Sequence, residues 1–132
     1  MRYTRDPVIE LYVRDIVQRL GLEHVDLSRV VCMRSTGTST ARTLARIHSV
    51  SKVVQKALGM RPHYVIEVVS ENFDKLGPEE RIKTLIHELM HIPATFGGGF
   101  RQHGRHVNRR AVEKMYRAYL DAPSRSHYGS RD

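Results

Sequence analysis

Gly77-Pro78-Glu79-Glu80-Arg81-Ile82-Lys83-Thr84-Leu85-Ile86-His87-Glu88-Leu89-Met90-His91-Ile92-Pro93 is the stretch that decides how this chain folds. Proline suits the first helical position, where the N–H it lacks would have no partner, and two glutamates follow at the positive end of the helix dipole. Ile82, Leu85, Ile86 and Leu89 recur at helical spacing and supply a core face, and Pro93 ends the helix just after His91. On a helix, side chains four residues apart stack on one face, so His87 and His91 can grip a single ion while Glu88 lies beside it. The two histidines are expected on the side away from the core.

The chain has eight histidines and eight glutamates in 132 residues, so this H-E-x-x-H spacing can also arise by chance and its context must carry the reading. A zinc ion used for hydrolysis takes three protein ligands and keeps one position for water. Cys32 is the only cysteine, which excludes an internal disulfide and leaves histidine and carboxylate as ligands. Three downstream residues are candidates for the third place. His103 stands at the junction of a glycine loop and the last helix, His106 lies one turn further on the same face, and Glu113 would complete a two-histidine, one-glutamate set. Glu88 is the candidate general base for a zinc-activated water. Arg101, Arg105, His106 and Tyr116 are candidate donors to a developing oxyanion by position alone. A purely structural metal site is the alternative use of the same ligands. The metzincin pattern is excluded, because Ala94 and Gly97 stand where it requires glycine and histidine. His24, His48, His63 and His127 read as surface or strand histidines.

Composition bounds the rest. At 15.2 kDa, with 40% apolar residues and mean hydropathy −0.44, the chain reads as one soluble domain. No apolar run approaches the roughly eighteen residues of a spanning helix, and the charged start fits no signal peptide, so a cytoplasmic protein without membrane contact is expected. The net charge is +8 and the pI about 10.1. From Arg101 onward eight lysines and arginines face three acids, against fourteen and eleven before it. The basic C-terminal third makes nucleic acid a candidate partner. Cys32, within Val30-Val31-Cys32-Met33, reads as a small core residue of a strand.

Asp6-Pro7 opens an N-terminal helix whose apolar face runs Ile9, Tyr12, Val13, Ile16, Val17, Leu20, and Gly21 ends it. Ser28 to Arg34 reads as a strand, Thr40 to Ser49 leans to strand, and Val53 to Leu58 reads as a short helical turn stopped by Gly59. The segment from His63 to Val69 is the clearest strand, with Tyr64, Ile66 and Val68 on one side and Val65, Glu67 and Val69 on the other. As a sheet edge beside the cleft it would offer an extended substrate a pairing partner. Ala94 to Arg101, with Gly97-Gly98-Gly99, is a loop that serves either as a tight turn or as a cover over the metal. A last helix is expected from about Gly104 to Leu120, followed by a flexible basic tail over 122–132.

Ile86-His87-Glu88-Leu89-Met90-His91-Ile92-Pro93, the glycine loop and His103-Gly104-Arg105-His106-Val107 together resemble the small predicted metallopeptidases of archaea and phages. They are also similar to SprT-like proteases, in which H-E-x-x-H is followed after a loop by His-Gly, two residues and an apolar one. The resemblance to the predicted metallopeptidases spans about Ser39 to Tyr119. It implies that His87, His91 and His103 hold one Zn2+, that Glu88 is the catalytic acid/base, and that the substrate is a peptide or protein. SprT-like proteins commonly add a zinc ribbon, for which this chain lacks the cysteines, so a DNA-associated role rests on the basic C-terminal third. The expected architecture is an α+β, zincin-like minimal domain over residues 1–121, with an N-terminal helix, a sheet of about three strands, the H-E-x-x-H helix and a C-terminal helix.

Overall fold

Asp6 accepts hydrogen bonds at 3.0 Å from the N–H groups of Val8 and Ile9, and with Pro7 behind it this cap starts the first helix where the sequence places it. In the computed structural model, which describes residues 1–123, the chain runs β1 (Arg2–Arg5), α1 (Pro7–Leu20), a 3₁₀ turn (Leu27–Arg29), β2 (Val30–Thr36), β3 (Ala45–Ser49), α2 (Lys52–Leu58), β4 (Tyr64–Val69), α3 (Ser70–Phe73), α4 (Pro78–Met90) and α5 (Arg109–Asp121). The expected tail falls mostly on residues 124–132, outside the described part.

The sheet has four strands in the order β1-β2-β4-β3, not about three. β1 is the addition. Its four residues are all exposed and carry no apolar alternation, so its backbone pairing with β2 has no sequence signature. β2 and β4 pair in parallel, Cys32 beside Ile66, and β3 pairs antiparallel with β4, Ile47 beside Ile66. The segment expected to be an edge, β4, is therefore central, and the free edge near the H-E-x-x-H helix belongs to β3. Only Ala45–Ser49 of the expected strand over Thr40 to Ser49 is extended. The stretch before it is held as a loop by Asn72 Nδ2, which donates to Thr40 O at 3.1 Å and Thr43 O at 2.8 Å.

The core joins Tyr64, Ile66 and Val68 of β4 and Cys32 of β2 to Ile9, Val13, Ile16 and Val17 of α1 and Leu85, Ile86 and Leu89 of α4. Each such aliphatic side chain contributes about 1.5–3 kcal/mol on burial, so this layer anchors α4 and fixes which way its polar face looks. On the reverse side of β4, Glu67 is only 3% exposed, and it accepts from Arg46 Nη1 at 2.9 Å and lies 2.8 Å from His48 Nε2. Arg34 of β2 ties the start of α1 to the end of α3, with Nε 2.9 Å from Asp6 and Nη1 2.8 Å from Asp74. No helix among the described residues is long and apolar enough to cross a membrane.

Candidate metal centre

Helix α4 delivers His87 in its last turn, and His91 follows as the C-cap with helical dihedrals, so both imidazoles stay on one side with ring centroids 5.1 Å apart. The opposite side buries Leu85, Ile86 and Leu89. His103 comes from a separate loop: its Nε2 lies 2.9 Å from His87 Nε2, and its ring stands 4.6 Å from that of His91. One ligand nitrogen from each of the three lies within 4.8 Å of the others. Tetrahedral ligands at Zn–N distances of 2.0–2.1 Å stand about 3.3 Å apart, so the cluster brackets a metal site and needs only small rotations to close on an ion.

The loop carrying His103 is held by its backbone against His91 and Asn108. Arg101 N donates to His91 O at 2.7 Å, and Arg101 O stands 2.6 Å from His91 Nδ1. Gly104 adopts φ +144°, which lets the chain turn sharply after His103, and its N–H donates to Val107 O at 2.9 Å. Asn108 caps α5 by accepting from Ala111 N at 2.8 Å while its Nδ2 donates to Gly104 O at 2.6 Å. The last helix thus begins at Arg109 rather than near Gly104, and His103 and His106 both lie before it. Asn108 was the available signal for that boundary.

Of the three candidates for the third ligand, only His103 joins the cluster. Glu113 pairs with Lys83 at 2.7 Å, and His106 turns to a different cavity together with Arg101. Tyr116, offered as an oxyanion donor, has Lys83 Nζ 5.1 Å above its ring and stacks on Tyr119. His87, His103, Glu80, Asn108, Arg109 and Leu44 border a cavity of about 570 Å³ that opens in front of the cluster.

The glycine loop is pinned to the sheet. Tyr64 Oη donates to Gly99 O at 2.7 Å and accepts from Gly98 N at 2.9 Å, and Ser49 Oγ donates to Gly98 O at 2.7 Å. Phe96 is the only non-glycine described residue with positive φ, +47°, and its buried ring meets Tyr64 edge-on at 4.8 Å. Sequence reading passed over both anchors, because an interior tyrosine in a strand looks like ordinary core.

Burial shapes the electrostatics. Glu88 is 9% exposed, and desolvation pushes its carboxyl up to about 7. His87 titrates below the ordinary histidine value, first because it is partly buried and then because His91 and His103 add like charge when protonated. Neutral imidazole is the form that binds metal.

The model for a family described as "Putative phage metallopeptidase" matches residues 1–122. The chain belongs to this family. No curated protein and no solved structure matches it. For a phage metallopeptidase, three imidazoles brought within metal-binding distance by a helix and a following loop form the natural ion site.

Proposed function

We propose that the chain is a zinc-dependent peptidase of the zincin type, related to SprT-like and archaeal metallopeptidases, with His87, His91 and His103 holding one Zn2+ and Glu88 as general base. The carrying observation is the convergence of three imidazole nitrogens from α4 and the 101–108 loop, next in sequence to a buried carboxylate. Imidazole nitrogens suit zinc, whereas magnesium and calcium take oxygen ligands. Zinc, when bound, supplies a Lewis acid that activates water and polarises a carbonyl. Glu88 accepts the proton of the attacking water and returns it to the leaving amine. The Arg101 carbonyl orients His91 so that its Nε2 faces the ion. β3 packs against α4 with one edge free, and Leu44 just before it borders the cavity with His87 and His103, so an extended peptide can pair there. Residues 1–121 act as one domain in this reading, and its setting is the cytoplasm.

The direct test is Glu88→Gln. It keeps its zinc and stops hydrolysing a peptide substrate; hydrolysis at the wild-type rate rejects the mechanism.

A second reading, nucleic-acid association, draws on a charge pattern beyond the basic C-terminal third. Between Asp26 and Glu67 there is no acidic residue, while Arg29, Arg34, Arg42, Arg46, Lys52, Lys56 and Arg61 fall in that span. Binding to DNA or RNA that weakens steeply with salt and survives Glu88→Gln supports it, and no binding at low salt removes it.

A further inference from the structure

We propose that a second cavity, behind the histidine cluster, docks the free C-terminus of a peptide that ends in an apolar residue. This cavity, about 370 Å³, has a floor of Leu22, Leu89, Met90, Ile92 and Met115. A cavity of this size stands at the small end of ligand pockets and suits the body of one or two large apolar side chains. The ionisable side chains that line it are all basic: His24, Arg101, His106 and Lys114. Arg101, His106 and Lys114 are exposed and His24 is half-buried. Among the described residues none of these four side chains has a hydrogen-bond or ion-pair partner, whereas Lys83 of α4 is shared by three carboxylates.

An apolar floor rimmed by the unpaired cations Arg101 and Lys114 and by two imidazoles, with no carboxylate in its lining, is complementary to a ligand with an apolar body and one negative head. An apolar chain terminus carries both parts in a single residue, whereas an internal peptide segment has them only where an acidic side chain stands beside an apolar one. Position ties the cavity to the metal centre. Met90 precedes His91, and Arg101 gives its side chain to the cavity while its backbone carbonyl holds His91 Nδ1. A chain end docked here sits behind the segment that orients a ligand, where it recruits a protein by its terminus. The choice of a peptide over another apolar carboxylate rests on the peptidase reading.

The test is calorimetric titration of the Glu88→Gln protein, which does not consume its ligand, at low salt. The probes are a hexapeptide ending in Leu-Leu with a free carboxylate, the same peptide amidated at its C-terminus, and decanoate. The free acid is expected to bind at least about tenfold more tightly than the amide, the increment of hydrogen bonds to a charged group. Lys114→Glu, a surface change, reverses one rim charge and weakens the acid about tenfold without altering zinc content. Met115→Trp fills the floor and abolishes binding. Equal binding of acid and amide, no binding of either, or full affinity in Lys114→Glu overturns the proposal, and so does capture of decanoate with none of the peptide acid. Binding of the acid to Glu88→Gln together with a zinc-loaded wild type that hydrolyses no peptide would sink the peptidase reading and leave the docking site standing; hydrolysis by wild type without preference of Glu88→Gln for the free acid does the reverse.

Discussion

His91 and Arg101 clasp each other through two contacts, His91 Nδ1 at 2.6 Å from Arg101 O and Arg101 N donating to His91 O at 2.7 Å. A ring nitrogen held against a carbonyl oxygen carries the proton, which leaves Nε2 with its lone pair for an ion. The same clasp returns the chain to α4 two residues before His103, so one pair of contacts both sets a tautomer and delivers the third imidazole.

Metal retention should separate the three downstream candidates. His103→Ala is expected to weaken zinc binding by more than about a hundredfold, beyond the loss typical of an outer-shell change, while His106→Ala and Glu113→Ala stay close to wild type. Competition against a chelator of known affinity measures all three.

The pinned loop predicts a contrast between adjacent glycines. A Cβ on Gly98, where φ is +105°, would meet Gln55 Nε2 at 2.5 Å and Val50 O at 2.7 Å, but on Gly99 it would meet nothing within 4 Å. Gly98→Ala is therefore expected to cost about 2–4 kcal/mol and Gly99→Ala about 0.5 kcal/mol or less, read from denaturant midpoints.

Tyr64→Phe tests the other side of the same anchor. It deletes the hydroxyl that bonds Gly98 N and Gly99 O while keeping the ring that packs on Phe96, so the loss of stability is about 1–3 kcal/mol. Because His103 hangs from this loop, zinc affinity should fall with it. A variant as stable as wild type and equally tight for zinc would mean that the loop is positioned by something else.

These particulars explain what the sequence made legible. Helices α1 and α4 carry both an apolar period and a proline-marked start, and β4 carries an alternation whose two sides the structure keeps. His87, His91 and His103 come together because helical spacing supplies two imidazoles and the loop held to His91 at Arg101 supplies the third. Strand order was not legible. A run such as Tyr64–Val69 reads the same at an edge or in the centre, and four charged or polar residues at Arg2–Arg5 become a strand only because β2 offers its backbone. Long-range hydrogen bonds such as Tyr64 to Gly98 and Gly99 connect residues over thirty positions apart, beyond the reach of any local pattern.

Cys32 should be silent toward alkylation. Its thiol is fully buried, and desolvation, followed by the negative charges of Glu10 and Asp6, pushes it up to about 12. Iodoacetamide at pH 8 to 9 is expected to modify the unfolded chain quickly and the native one only at the rate of opening, followed by mass spectrometry with and without urea. Prompt modification of the native protein would show that β2 is not packed as described.

Tyr119 joins the two terminal helices and should make their docking sensitive to alkali. Its hydroxyl donates to Asp15 at 2.7 Å, and Arg19, itself 3.1 Å from Asp15, lies 4.8 Å from the ring centre. Burial, and then the hydrogen bond to Asp15, raise the phenol to about 12 from an ordinary value of 10. A group raised on folding contributes stability that is fully present below its unfolded pKa and is lost as pH rises through the folded one, so the window here is pH 10 to 12. Urea midpoints of wild type and Tyr119→Phe, taken at pH 8 and again near 11.5, should therefore converge, because only wild type loses the contribution of this phenol. A gap that is unchanged between the two pH values would remove Tyr119 as the alkali-sensitive link between α1 and α5.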